Sequence, residues 1–244
     1  MTKIYTDAIE PASGTTLNIG ESGANTVLTG NDLRANVVQD KGGNALFTSN
    51  GSGVLSGVAS AFGSPLVLIN TLIASTSASL EITSGITTDY KELEVRFIGV
   101  RGGDDSSAHL GFQCSIDGGS NYNTNITCQQ SNARRTASYT GAFVEDNTVA
   151  QYNGTGMQAL GENFADNTTY GIVYGWIKIY NPSSTTYVKG FTARVAFSSA
   201  AADTSVKNTW TNGAIDTTSA IDAMKFSYSA GNIIAGKIKI YGYK

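Results

Sequence analysis

Two hydrophobic textures meet near Gly63-Ser64-Pro65. Before that point small apolar knots recur: Leu17/Ile19, Val27/Leu28, Val37/Val38, Leu46/Phe47 and Val54/Leu55, with Gly, Asn, Asp or Ser between them. Such spacing predicts one short strand and one turn per unit. Each knot is too small to bury itself, so residues 1–63 are expected to form an intertwined β stalk completed by neighbouring copies. The composition also fits a flexible linker. From Ser64 onward a period of two takes over. Leu66, Leu68 and Leu72 alternate with Val67, Ile69 and Ile73, which predicts a strand apolar on both faces and therefore interior. Leu93, Val95 and Phe97 face one way while Glu92, Glu94 and Arg96 face the other, the pattern of a half-buried strand.

The same alternation continues through Leu110, Phe112, Cys114 and Ile116, followed by the turn Asp117-Gly118-Gly119-Ser120-Asn121-Tyr122 and a returning strand over residues 124–130. Strands over residues 171–180 and 187–197 flank Asn181-Pro182-Ser183-Ser184, and strands over 223–229 and 233–241 flank Ala230-Gly231-Asn232. At least eight strands, joined by hairpins and some long loops, predict a jelly-roll-like antiparallel β-sandwich over residues 64–244. The pattern is weakest over residues 131–167 and 198–218.

Composition agrees with an all-β fold. Ser, Thr and Gly make up 81 of the 244 residues, and there are 3 Pro. Charged residues are 14% of the chain, against roughly 25% in an ordinary soluble domain. Net charge is −3, and neither a basic excess nor a basic stripe is visible, so a nucleic-acid partner is not expected. No apolar run approaches the roughly 20 residues of a membrane span, so membrane insertion is not expected. Met1-Thr2-Lys3-Ile4 does not open a signal-peptide pattern, which predicts synthesis without Sec export.

Candidate chemistry is sparse. His109 is the chain's one histidine; it lies on the polar face of its strand near Asp104, Asp105, Ser106 and Ser107, with no Gly-x-Ser-x-Gly elbow, and is read as a surface residue. The pairs Asp104/Asp105 and Glu145/Asp146 sit in Gly/Ser/Asn-rich stretches and are read as solvated carboxylates; catalysis would need two carboxyls held across a cleft. Asp117-Gly118-Gly119 does not complete a calcium loop. No catalytic residue, metal or cofactor is assigned. Cys114 and Cys128 fall on apolar faces that the intervening turn would bring near one another; two packed thiols are preferred to a bridge. Trp176, between Tyr174 and Lys178, is expected to pack, and Trp210, before an expected turn at Asn212-Gly213, fits core or surface. One basic-aromatic spot, Arg134-Arg135 with Tyr139, falls in a polar loop region and is the candidate site for an acidic or glycan ligand.

Several segments carry a family likeness. The opening Thr6-Asp7-Ala8-Ile9-Glu10-Pro11-Ala12-Ser13-Gly14-Thr15-Thr16-Leu17-Asn18-Ile19-Gly20 resembles the start of many bacteriophage tail-fibre and virion appendage proteins, notably of marine phages. Gln39-Asp40-Lys41-Gly42-Gly43-Asn44 and Ser115-Ile116-Asp117-Gly118-Gly119 are similar to the same class, as is the ending Gly236-Lys237-Ile238-Lys239-Ile240-Tyr241-Gly242. These are turn-and-strand signatures and name no active residue. The resemblance implies a non-enzymatic virion protein: residues 1–63 docked on other tail or capsid proteins, a homotrimer, and a distal sandwich facing a host surface glycan. A capsid head fibre or decoration protein is the alternative, and a carbohydrate-binding module of an enzyme a third.

Overall fold

The computed structural model describes residues 37–39, 44–49, 52, 55–58, 65–103, 108–135, 142–145, 150–161, 171–198 and 206–244. The chain divides into two units, Met1–Gly63 and Ser64–Lys244. In the first, strands β1 (Val37–Gln39), β2 (Ala45–Ser49) and β3 (Leu55–Val58) pair in order as an antiparallel sheet. The knots at Val37/Val38 and Leu46/Phe47 are thus strands, and Leu55 opens the third; Leu17/Ile19 and Val27/Leu28 lie outside the described residues. Val37 and Phe47 remain exposed within this unit. Strands of three to five residues bury too little to compensate the ordering of their own backbone.

The second unit holds β4 (Leu66–Ile73), β5 (Leu80–Ile82), β6 (Glu92–Gly102), β7 (Leu110–Ser115), β8 (Ile126–Arg135), β9 (Ala142–Glu145), β10 (Gln158–Ala159), β11 (Val173–Tyr180), β12 (Lys189–Ser198), β13 (Val206–Ile215), β14 (Ala223–Tyr228) and β15 (Ile233–Tyr243). Eight of these form one sheet, in the order β4-β15-β6-β11-β12-β13-β8-β9, and four form another, β10-β7-β14-β5. Every pairing is antiparallel, and no helix occurs among the described residues. The fold is all-β.

Alternation decides how the sheets meet. Leu93, Val95 and Phe97 of β6, Ile177 and Ile179 of β11, and Phe191, Val195 and Phe197 of β12 face inward from the larger sheet and are buried. From the smaller sheet Ile82, Leu110, Phe112, Cys114, Met224 and Phe226 meet them. Two aromatic pairs cross the interior edge to face: Phe97 with Phe226 at 5.9 Å between ring centres, and Phe112 with Phe191 at 5.3 Å. Two sheets packed on one apolar interior make a sandwich. A bulge aligns the centre, where Gly236 of β15, at φ +104°, lies against the backbone of Gly99 and Val100 of β6; a Cβ there would collide with both.

Several expectations are corrected. β4 is the edge of the larger sheet and not an interior strand: Ile69 and Leu72 pack on the core while Leu68 and Ile73 face solvent. Residues 124–130 do not return beside β7. β7 pairs with β10 and β14 in the smaller sheet, β8 with β13 and β9 in the larger, and the turn at Asp117–Tyr122 carries the chain across the sandwich. β14 and β15 likewise belong to different sheets. Among the described residues of this unit, consecutive strands pair only at β8–β9, β11–β12 and β12–β13. The physical reason is that period-two burial reports which face is apolar and says nothing about which sheet supplies the partner. Asn212-Gly213 is no turn: both lie inside β13, where Gly213 lets the backbone of Thr127 and Cys128 in β8 approach closely.

Candidate ligand-binding site

One end of the larger sheet is marked by its register. Tyr243 pairs with Glu92, Glu92 with Tyr180, Lys189 with Ile215, and Ile215 with Ile126. The turn between β11 and β12 projects from this end and meets the segment that leads into β6. Asn181 donates its N–H to the Lys91 carbonyl at 2.7 Å, and Ser183 Oγ donates to the Thr87 carbonyl at 2.8 Å. The turn is then folded by its own groups. Asn181 sits in the left-handed region at φ +48°, its carbonyl accepts the Ser184 N–H, and Ser184 Oγ accepts the N–H groups of Thr186 and Tyr187.

Between these segments lies a cleft of ≈ 360 Å³ lined by Thr88, Tyr90, Lys91, Asn181, Ser183, Ser184, Thr186 and Tyr187. That volume suits a small ligand. Hydroxyls, an amide and an ammonium offer donors and acceptors, and Tyr187, largely exposed, offers a ring face at the rim. Such a lining can hydrogen-bond a polyhydroxylated ring and stack on its apolar face.

The base of the turn is held from behind. Lys189 is fully buried, and its ammonium donates to the carbonyls of Thr217, at 2.9 Å, and Ser219, at 2.5 Å. Burial pulls its pKa down from the ordinary lysine value. Ile221 N–H in turn donates to the Pro182 carbonyl at 2.9 Å. A buried cation thus ties residues 217–221 to the β11–β12 turn. Nothing in the sequence pattern singled out this lysine.

The residues proposed from sequence fall elsewhere. Arg134 and Arg135 are the last two positions of β8 and not part of a loop; they pair with Lys207 and Val206. The strand continues because β13 provides ten residues of partner backbone there. The cleft lies at the end where β8 begins, nine strand steps from Arg135, or roughly 30 Å. Tyr139 lies outside the described residues, as do Asp104, Asp105, Ser106, Ser107 and Asp146. The His109 carbonyl accepts the Ser229 N–H at 2.9 Å, and the His109 N–H donates to the Ser229 hydroxyl at 2.9 Å.

Asp117 organises its own turn. Its carboxylate accepts from the Asn121 side chain, the Ser115 hydroxyl and the Asn121 N–H, and these hold its pKa below the ordinary value. Cys114 and Cys128 are free thiols in opposite sheets. Burial pushes Cys114 up to about 12, and it also raises Cys128, whose thiol donates to Gln158 Oε1 at 3.0 Å. Both are held as thiols, the form least suited to nucleophilic or metal chemistry. Among the described residues no group of three or more His, Cys, Asp or Glu is set to hold a metal ion, and no helix is long and apolar enough to cross a membrane.

The signal for the cleft was present as a turn, Asn181-Pro182-Ser183-Ser184, bracketed by Tyr180 and Tyr187. Its second wall, Thr88-Asp89-Tyr90-Lys91, lies some ninety residues earlier, which no local pattern connects. No family model, curated protein or solved structure matches the chain.

Proposed function

We propose that the chain is a structural subunit of a bacteriophage virion, an appendage of the tail-fibre kind, without a catalytic step. Residues 1–63 attach it to other virion proteins, and three copies assemble. The sandwich of residues 64–244 faces outward and contacts a glycan of the host surface through the end cleft.

The observation that carries the reading is the strand order. β4-β15-β6-β11 lies across from β5-β14-β7-β10, and the chain passes from sheet to sheet along most of its length. We read this as jelly-roll connectivity, with β8–β9 and β12–β13 as extensions of the larger sheet; viral capsid and lectin domains use that architecture. Fold alone assigns no function. The class comes from the tail-fibre-like turn segments, and the contact chemistry from the Tyr187-rimmed cleft. Exposed Leu68 and Ile73 on edge strand β4 favour assembly of copies, since an apolar edge invites a partner.

Cryo-microscopy of purified virions, with a gold label at Lys244, tests the reading. The label is expected on a projecting appendage, outward of the attachment point, and its position on tail or head fixes the location. Absence of the chain from purified virions overturns the proposal. Sedimentation of the purified protein is expected to give about three times the 25.5 kDa subunit mass, and a clean monomer removes the trimer. Tyr187→Ala is expected to lower attachment of the purified protein to host cells.

A further inference from the structure

The solvent-facing side of the larger sheet carries a pattern that no stretch of sequence displays. One register row crosses the sheet as Thr71, Lys239, Arg96, Trp176, Arg194, Trp210, Ser131 and Glu145. Its middle alternates cation and indole on neighbouring strands. Spacing between strands is ~4.8 Å, so the five positions from Lys239 to Trp210 span roughly 19 Å. Arg194 lies over the Trp210 ring at 5.5 Å, and Phe143, 70% exposed, stands 5.9 Å from that ring at a tilt. Arg96 reaches into the next row, where it lies over Tyr241 at 4.9 Å, and Lys178 of that row lies over Tyr243 at 5.2 Å.

The charges are not all balanced. Glu94 and Glu92 are taken up by Arg96 and Lys178. Arg194 and Lys239 have no carboxylate within ion-pair distance among the described residues. In this row and the next two, the cations Lys239, Arg96, Arg194 and Lys178 stand against the carboxylates Glu92, Glu94 and Glu145, so a chain of net charge −3 carries a slight cationic surplus on this face.

We propose that this face binds an acidic polysaccharide, a chain of uronate-bearing pyranose rings laid along the Lys239–Trp210 row. Indole faces stack on the apolar faces of sugar rings, and the two indoles, two strands apart, are roughly 10 Å from each other. Arg194 between them presents a planar fork that matches a carboxylate. A guanidinium held against a ring by its own stacking loses less freedom when it pairs. The inference takes from the preceding reading only that the sandwich meets a polysaccharide. The end cleft plays no part in it.

The chain has two tryptophans, Trp176 and Trp210, and both lie in this row, so intrinsic fluorescence reports on it directly. Full-length protein is titrated with polygalacturonate, with neutral dextran of equal length, and with an oligothymidylate of equal charge. Polygalacturonate is expected to shift the tryptophan emission saturably and to bind at least tenfold more tightly than either of the others. Arg194→Gln with Lys239→Gln leaves the indoles in place and is expected to weaken binding at least tenfold and flatten its salt dependence. Lys225→Gln, which removes a cation from above Tyr122 of the other sheet's turn, is expected to change neither.

Trp210→Phe keeps a ring at the row's end and is expected to retain most of the affinity that Trp210→Ala loses. The proposal is overturned if polygalacturonate leaves the emission unchanged, or if the Arg194/Lys239 variant binds as wild type does. Equal binding of the oligothymidylate overturns it too, since the face would then select charge alone. If Trp176→Ala with Trp210→Ala reduces the sedimenting mass to that of one subunit, the face is a contact between copies and the proposal fails. None of these readouts depends on virion incorporation or on Tyr187, so they fail separately from the appendage reading.

Discussion

The two faces of the larger sheet are written by alternate residues of the same strands, and they obey opposite rules. On the inner face, Leu93, Val95, Phe97, Ile177, Ile179 and Phe191 are buried against the smaller sheet, and their tolerance is set by packing. On the outer face, Arg96 meets Glu94 and Tyr241, Lys178 lies over Trp176, and Arg194 lies over Trp210; their arrangement is set by cross-strand pairing. The inner rule weakens toward β13 and β8, where Thr209, Thr211 and Gln130 are buried polar positions. Gln130 there bridges to Thr211 Oγ1 at 2.9 Å and to the Ala159 carbonyl at 3.3 Å, so β10 covers this half by hydrogen bonds. Burial makes the fold on one side; exposure leaves chemistry on the other.

Breaking the inner face has the largest expected effect. Phe112→Ala removes a ring that meets Phe191 across the interior and is expected to cost about 3–5 kcal/mol in urea unfolding, with ligand affinity of the folded fraction unchanged. Lys189 is another exception on the inner face, a cation held by two carbonyls. Lys189→Met leaves the Thr217 and Ser219 carbonyls unpaired and is expected to cost about 2 kcal/mol by the same measurement.

The outer network sharpens the comparison through pH. Burial raises the Glu94 pKa, but hydrogen bonds from Arg96 and Tyr243 and the charges of Arg96 and Lys178 outweigh it, leaving the carboxyl below its ordinary 4.5. A carboxyl depressed in the native state stabilises the fold above its ordinary pKa, and that contribution disappears as pH falls through the lowered native value. Unfolding midpoints of wild type and Glu94→Gln are therefore expected to differ most near neutral pH and to converge in acid. The smallest stability effect belongs to Arg194→Gln. As a surface substitution it is expected to move the unfolding free energy by no more than about 0.5 kcal/mol while weakening polyuronate binding.

How far the sequence could be read follows from the same geometry. The β11–β12 hairpin was legible because Asn181-Pro182-Ser183-Ser184 is a turn in chemistry as well as in place. The inward sets of β6 and β7 were legible because period two is a local property. Strand partners were not. Cys114 and Cys128 stand in opposite sheets although only fourteen positions separate them, and the alternation of Leu110, Phe112 and Cys114 reads identically for either sheet. Arg134 and Arg135 drew attention as adjacent cations in a weakly patterned stretch, yet they are strand positions paired with β13. Lys239, Arg96 and Arg194 showed no basic stripe because adjacency in the sheet is not adjacency in sequence. Their neighbours in space lie on other strands, 98 residues apart for Arg96 and Arg194.

The division between a fold-making face and a recognising face is tested most directly by ligand-linked unfolding. A ligand that binds the native state alone raises stability in proportion to the logarithm of its concentration over its dissociation constant. The urea midpoint of the full-length protein is followed with and without saturating polygalacturonate, in wild type and in the Arg194→Gln, Lys239→Gln variant. The account predicts equal stabilities for both proteins without ligand, to within about 0.5 kcal/mol, and a ligand-induced rise that is larger in wild type than in the variant by about 1.4 kcal/mol or more. Equal rises in both proteins would contradict it.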